Sequence, residues 1–135
     1  MSFPDFAGDV EWRETPEGFF AKGRLAKDAE FFKDHFPRFP VLPGVLMLEI
    51  LKRTAEVSLA AKNKNQDSKW RLTRLSGVRF SAYVKPGDEW EARLAWAGTE
   101  EGRQRWKGSL SSGGHVAAQA QFILEPAGVF FNTAS

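Results

Sequence analysis

The chain has 135 residues, of which 42% are hydrophobic and 13% aromatic, so it suits one compact domain with a substantial core rather than two domains. Nineteen basic residues stand against seventeen acidic ones, giving a net charge of +2 without a long run of either sign, and this balance does not indicate nucleic-acid binding. The absence of cysteine excludes disulfides, thiolate nucleophiles and cysteine-ligated metals.

The beginning of the sequence, MSFPDFAGDVEWRE, carries acidic residues and no apolar run of the kind a signal peptide needs. We therefore expect a cytoplasmic protein. No segment approaches the roughly 18 consecutive apolar residues of a membrane helix, so no membrane span is predicted.

The first predicted element is a hairpin, with strands at Val10–Glu14 and Phe19–Leu25 joined by Thr15-Pro16-Glu17-Gly18. A short helical piece or turn at Phe31–Phe32 follows. The next element is a helix from Pro43 to about Ala61, because its apolar run at residues 45–51 is interrupted by one polar residue only. Such a run predicts a helix that is buried on nearly all sides.

The second half of the chain is predicted to form strands. Trp90, Ala92, Leu94 and Trp96 alternate with more polar neighbours, the period-2 pattern of a strand whose tryptophans face the core. The other predicted elements are a strand at Trp70–Tyr83 bent near Ser76-Gly77, a turn at Pro86-Gly87-Asp88, a turn at Ala97–Gly102, and a hairpin of Trp106–Leu110 and Val116–Leu124 around Ser111–Gly114.

These elements predict an α+β fold in which one antiparallel sheet wraps around a long central helix. We expect residues 1–125 to form a single domain and residues 126–135 to form a C-terminal tail. The exposed strand edges of so small a sheet favour pairing with a second copy.

His35 lies in a segment that Pro37, Pro40 and Pro43 stiffen, which would hold its imidazole in place. Gly44 follows the proline at the predicted start of the helix, so its N–H is among the donors without a helical acceptor and can stabilise an oxyanion. Each feature alone has an ordinary structural explanation, and the interpretation depends on their combination.

Glu49 interrupts the apolar run of the helix. Burying an ionised carboxylate among leucines and isoleucine is costly, which favours the protonated acid. Five residues separate Glu49 from Gly44, or about 7 to 8 Å along the helix axis, within the span of a short acyl group.

The fixed positions of this segment are His35-Phe36-Pro37, Pro40, Pro43-Gly44-Val45-Leu46 and Glu49. In identity and spacing they resemble the motif of the β-hydroxyacyl-acyl-carrier-protein dehydratases of fatty acid synthesis, which have the hotdog fold. The likeness continues through residues 77–80 and 84–88 and covers roughly residues 10 to 124.

The resemblance implies a hotdog domain that converts 3-hydroxyacyl thioesters of acyl carrier protein or coenzyme A to trans-2-enoyl thioesters, without a metal or other cofactor. It implies a site between two subunits of a homodimer or dimer of dimers. Implied roles are His35 as the base at C2, Glu49 of the other subunit as the acid, Gly44 N–H as the oxyanion donor, Phe36, Pro43, Val45 and Phe80 in the substrate tunnel, and Arg79 and Lys85 as carrier contacts.

Several positions depart from that family. Arg38-Phe39 replaces a usual Gly-Lys, Lys52-Arg53 replaces a small residue and glutamine, and only about nine residues precede the first predicted strand. We interpret these departures as marks of a specialised paralogue, serving a secondary pathway such as polyene or polyketide assembly. Two alternatives stay open: a hotdog thioesterase, which the retention of His35 argues against, and a non-catalytic acyl-binding or subunit-stabilising hotdog protein.

Overall fold

The part of the chain that the structure describes forms one six-stranded sheet and one long helix. The computed structural model describes residues 3–26, 42–62 and 70–126. The predicted helical piece at Phe31–Phe32 and most of the predicted tail lie outside these residues. The elements in chain order are a 3₁₀ turn at Asp5–Ala7, β1 at Glu11–Glu14, β2 at Gly18–Arg24, α1 at Gly44–Lys62, β3 at Trp70–Phe80, β4 at Glu89–Glu100, β5 at Arg103–Ser112 and β6 at His115–Pro126.

The strands lie in the order β1-β2-β4-β5-β6-β3, and every neighbouring pair is antiparallel. This order makes β1 and β3 the two edges of the sheet. The predicted α+β plan is confirmed, as are the leading hairpin, the helix and the later strands to within a few residues.

The core lies between α1 and one face of the sheet. Along the helix the buried side chains recur at Met47, Ile50, Leu51 and Ala55, which is the spacing of one helical face. The strands bury alternate residues because successive side chains point to opposite faces. The buried strand side chains include Phe19, Ala21, Trp90, Ala92, Leu94, Trp106, Leu110, Ala120, Phe122 and Leu124.

β3 bends where the sequence predicted it. Its register against β6 shifts between Ser76 and Arg79, and Gly77 has a φ of 60°, which a residue without Cβ adopts at little cost. A second register shift lies between Leu72 and Arg74. The described side chains of this edge strand are mostly exposed.

Two predictions for β4 are wrong. The strand does not turn at Ala97–Gly102 but runs to Glu100, through a register shift between Trp96 and Gly98, and the tight turn is Glu101-Gly102. Trp96 is 51% exposed instead of facing the core, because burial along β4 ends after Leu94. Its indole N–H donates a hydrogen bond to Gln104 Oε1 at 2.7 Å.

Candidate active site

The start of α1 is anchored to the sheet. Leu42 is buried and its N–H donates to Val84 O at 2.8 Å, which ties the entry of the helix to the segment between β3 and β4. Pro43 O accepts from the N–H groups of Leu46 and Met47 at 3.0 and 3.2 Å, so helical hydrogen bonding begins at the proline. The N–H of Gly44 falls in the first turn, where donors have no acceptor within the helix and the helix dipole is positive.

The aromatic ring of Phe80, at the end of β3, lies against Gly44. A Cβ added at Gly44 would be 2.6 Å from Phe80 Cζ, so only glycine allows this approach. Phe80 is 50% exposed and Val45 is 69% exposed. The structure therefore brings together Gly44, Val45 and Phe80, three of the residues predicted from sequence, on an open surface at the helix start.

Glu49 lies one turn along the helix from Val45, on the same side. Its side chain is 31% exposed and its carboxylate faces two cations of the same helix. Arg53 Nε donates a hydrogen bond to Oε1 at 3.2 Å, and Lys52 Nζ lies 3.8 Å from Oε2. The prediction that α1 is buried on nearly all sides, with this carboxylate in apolar surroundings, is wrong for the single chain, because Glu49 lies on the face turned away from the core.

The carboxylate that is more enclosed on this helix is Glu56. Its side chain is only 13% exposed, and burial raises the pKa of Glu56, an effect that the charges of Lys52 and Arg53 oppose. Arg53 Nη1 lies 3.6 Å from Glu56 Oε1, and within the described residues no hydrogen-bond donor reaches that oxygen. Arg53 thus lies between two carboxylates, one on either side.

Sequence reasoning missed the contacts of Arg53 and Glu56. The signal was present in their spacing, because residues three and four apart on a helix are neighbours and Arg53 follows Glu49 by four and precedes Glu56 by three. The prediction for this helix used the apolar run and did not consider the spacing of the charged residues that follow it.

The structure gives less information about the remaining predicted site residues. His35 and Phe36 lie outside the described residues. Arg79 on β3 and Lys85 in the turn before β4 are exposed, and the backbone N–H of Lys85 donates to the Asp88 carboxylate at 2.9 Å. Their predicted contacts with a carrier stay a prediction.

A hollow of about 490 Å³ lies elsewhere on the sheet and is lined by strand residues, among them Arg93, Lys107, Ser109, Gln119 and Gln121. None of the described residues predicted for the site lines it. Within the described ranges, no helix is long and apolar enough to cross a membrane, and no group of three acidic or histidine side chains could hold a metal ion.

Comparison with known proteins identifies the family. The family model described as ApeI-like, ApeI dehydratase, matches residues 11–120, from β1 to the middle of β6. The chain belongs to the ApeI-like dehydratase family. This ApeI-like dehydratase is 32% identical over 113 residues to the 3-hydroxyacyl-[acyl-carrier-protein] dehydratase FabZ of Bacillus subtilis (strain 168), over 82% of this chain and 80% of the relative. It is accordingly a dehydratase, a hydro-lyase.

Solved structures confirm the fold of this ApeI-like dehydratase. The dehydratase heterocomplex ApeI:P from Xenorhabdus doucetiae superposes with a TM-score of 0.73 at 15% identity, over 96% of this chain and 87% of that one. A hypothetical thioesterase protein with coenzyme A from Streptococcus pneumoniae TIGR4 superposes with a TM-score of 0.68 at 9% identity, over 91% of this chain and 89% of that one. Both support the hotdog fold, and their names connect that fold with a dehydratase in one case and a thioesterase in the other.

Proposed function

We propose that this ApeI-like dehydratase removes water from 3-hydroxyacyl thioesters, carried by acyl carrier protein or coenzyme A, with His35 and Glu49 as its base and acid. The observation that carries the proposal is the open start of α1, where Gly44, Phe80 and Glu49 lie within about two turns of one helix and the strand end beside it. The relative in Bacillus subtilis is a dehydratase named for the same class of thioester.

The proposed step is an elimination across C2 and C3. His35 takes the proton from C2, the electron pair of that C–H bond forms the C2=C3 double bond, and the C3–O bond breaks. Glu49 donates a proton to the leaving hydroxyl, which departs as water. The Gly44 N–H donates a hydrogen bond to the thioester carbonyl oxygen as negative charge develops on it, and the positive end of the helix dipole adds to this stabilisation.

A second hotdog chain would complete the site. The start of α1, the edge strand β3 and the segment after it expose four large apolar side chains: Val45, Val78, Phe80 and Tyr83. Surfaces of this kind on small proteins mark interfaces. We propose a homodimer or a dimer of dimers in which His35 of one subunit works with Glu49 of the other, and in which Phe36, Pro43, Val45 and Phe80 line the tunnel. The neighbour from Xenorhabdus doucetiae is a heterocomplex, so a related but different chain is the alternative partner.

The finer assignments follow from the same proposal. The pantetheine arm would enter past the exposed cations Arg79 and Lys85, which suit a carrier with acidic groups. Residues 1–125 would form the catalytic domain and residues 126–135 an accessory tail. The changes at Arg38-Phe39 and Lys52-Arg53 support a specialised substrate in a secondary pathway of the cytoplasm.

One assay separates this function from hydrolysis. The purified chain is incubated with a 3-hydroxyacyl thioester of coenzyme A, and product is read both as enoyl absorbance and as free thiol. The proposal expects enoyl thioester without thiol release. Thiol release without enoyl product would support a thioesterase, in which an ionised Glu49 would position the attacking water; its ion pair with Arg53 is the observation that makes this the second candidate.

A further inference from the structure

We infer that Arg53 is a positioning residue that orients Glu49 for proton transfer, and that Glu56 holds Arg53 in place. The inference rests on the proposed function, because the orientation of Glu49 affects turnover only if that carboxylate handles the proton.

The three side chains form one chain of contacts along the helix. Arg53 Nε donates to Glu49 Oε1 at 3.2 Å, and Arg53 Nη1 lies 3.6 Å from Glu56 Oε1. A guanidinium is planar and carries its donors in a rigid fork, so a hydrogen bond at Nε and an ion pair at Nη1 restrict its orientation. The guanidinium of Arg53 is therefore held between an earlier and a later turn of α1.

The burial of the three side chains indicates which of them is held most firmly in place. The Glu56 side chain is 13% exposed, whereas those of Glu49 and Arg53 are 31% and 37% exposed. An enclosed carboxylate has fewer rotamers open to it than one at the surface, and it needs a cation nearby because water cannot replace the charge partner. Glu56 is thus the fixed point, and Glu49 is the end whose position depends on Arg53.

The contact with Arg53 also distinguishes the two oxygens of Glu49. Oε1 accepts the Arg53 hydrogen bond, while the nearest described cation to Oε2 is Lys52 Nζ at 3.8 Å, beyond hydrogen-bond distance. The inference therefore assigns to Oε2 the proton transfer to the leaving hydroxyl. If a catalytic carboxylate is free to rotate, the reaction is slower, because the reacting atoms must be aligned within a fraction of an ångström.

The test uses the full chain and the 3-hydroxybutyryl and 3-hydroxydecanoyl thioesters of coenzyme A, with kcat and KM measured separately by enoyl absorbance. Arg53→Met should lower kcat about tenfold and leave KM within about twofold, because alignment and not binding is lost. Arg53→Gln should recover most of the lost kcat, because an amide also donates to a carboxylate.

Glu56→Gln tests the anchor. It should lower kcat about threefold in the wild-type background and have no further effect in an Arg53→Met background, because residues that act through one another are not additive. The matched control is Arg105→Met, since Arg105 forms an ion pair with Glu100 at 3.0 Å on an exposed strand and lies outside the site. It should leave kcat unchanged. Circular dichroism at the assay temperature shows that each variant is folded.

Four results would overturn the inference. One is wild-type kcat in folded Arg53→Met, which leaves the proposed function standing. The second is an equal fall of kcat in Arg53→Met and Arg53→Gln, which would mean that a hydrogen bond to Glu49 is not what matters. The third is additive effects of Arg53→Met and Glu56→Gln, which would mean that Glu56 does not act through Arg53. The fourth is absence of enoyl product from the wild-type chain, which overturns both the inference and the proposed function.

Discussion

The two faces of α1 differ in almost every physical property. The face toward the sheet carries Met47, Ile50, Leu51 and Ala55, all buried in the core. The opposite side carries an ion-paired stripe of charged side chains and the exposed Val45. Because a helix has 3.6 residues per turn, one segment can present a core face and a charged face. Changes on the core face should affect stability, and changes on the charged face should affect turnover.

The largest expected effect comes from the charged face. Glu49→Gln keeps the size of the side chain but removes its acidic proton, so turnover of a 3-hydroxyacyl thioester should fall by about 10²- to 10⁴-fold. The free energy of unfolding should change by less than about 0.5 kcal/mol, because the residue is partly exposed. Enoyl absorbance and urea unfolding measure the two quantities. Glu100→Gln, on an exposed strand end, is the control, and equal turnover in both variants would refute the role of Glu49.

The core face should show the reverse. Leu51→Ala removes a fully buried side chain and leaves a cavity between α1 and the sheet, so it should lower the free energy of unfolding by about 2 to 5 kcal/mol. Turnover per folded molecule should stay within about threefold of wild type at low temperature. Urea unfolding and assays on folded protein check this. A loss of turnover as large as that of Glu49→Gln, with stability unchanged, would contradict the claim that the core face affects stability and the charged face affects turnover.

Gly44 lies where the two faces meet. Gly44→Ala adds a Cβ only 2.6 Å from the Phe80 ring, so the ring, which the proposal places in the substrate tunnel, has to move. Because Phe80 is half exposed, the ring can shift, and we expect a small loss of stability with about a tenfold loss of kcat/KM. Steady-state kinetics check the value. Unchanged kcat/KM in Gly44→Ala would show that the thioester does not approach this turn.

The smallest effect should come from Glu56 and should depend on pH. Burial raises the pKa of Glu56 above 4.5, so the folded chain holds this proton more tightly than the unfolded chain does. The resulting stabilisation is present below the unfolded pKa and is lost as the pH rises through the folded pKa. Glu56→Gln should therefore be slightly more stable than wild type at pH 7, and this gain should vanish toward pH 4. Urea unfolding at both values checks it, and a gain that is equal at both would contradict the explanation.

Alternation and apolar runs were sufficient to predict most of the fold. Trp90, Ala92 and Leu94 alternate because their strand has one buried face, and a sequence shows that period directly. Trp96 keeps the same alternation but lies beyond the buried part of β4, and the extent of the helix that covers a sheet cannot be read from the strand itself.

The site was predictable in part. The motif pointed to Gly44 and Glu49, and the family resemblance to Phe80; the structure places the first two in the first turns of α1 and Phe80 at the end of β3. The surroundings of Glu49 were not predictable from the apolar run, because burial depends on which helical face meets the sheet. Its pairing with Arg53 follows from helical spacing, but the enclosure of Glu56 depends on tertiary packing that no local pattern encodes.

The most direct measurement for the account as a whole is complementation between two inactive chains. If the charged face of α1 is half of a site that a second copy completes, His35→Ala and Glu49→Ala are each inactive as purified chains. Mixing them with subunit exchange should then restore about a quarter of wild-type turnover, since random pairing makes half the dimers hybrid and each hybrid has one intact site. No recovery in mixtures that demonstrably contain hybrid dimers would contradict a site shared between His35 of one subunit and Glu49 of the other.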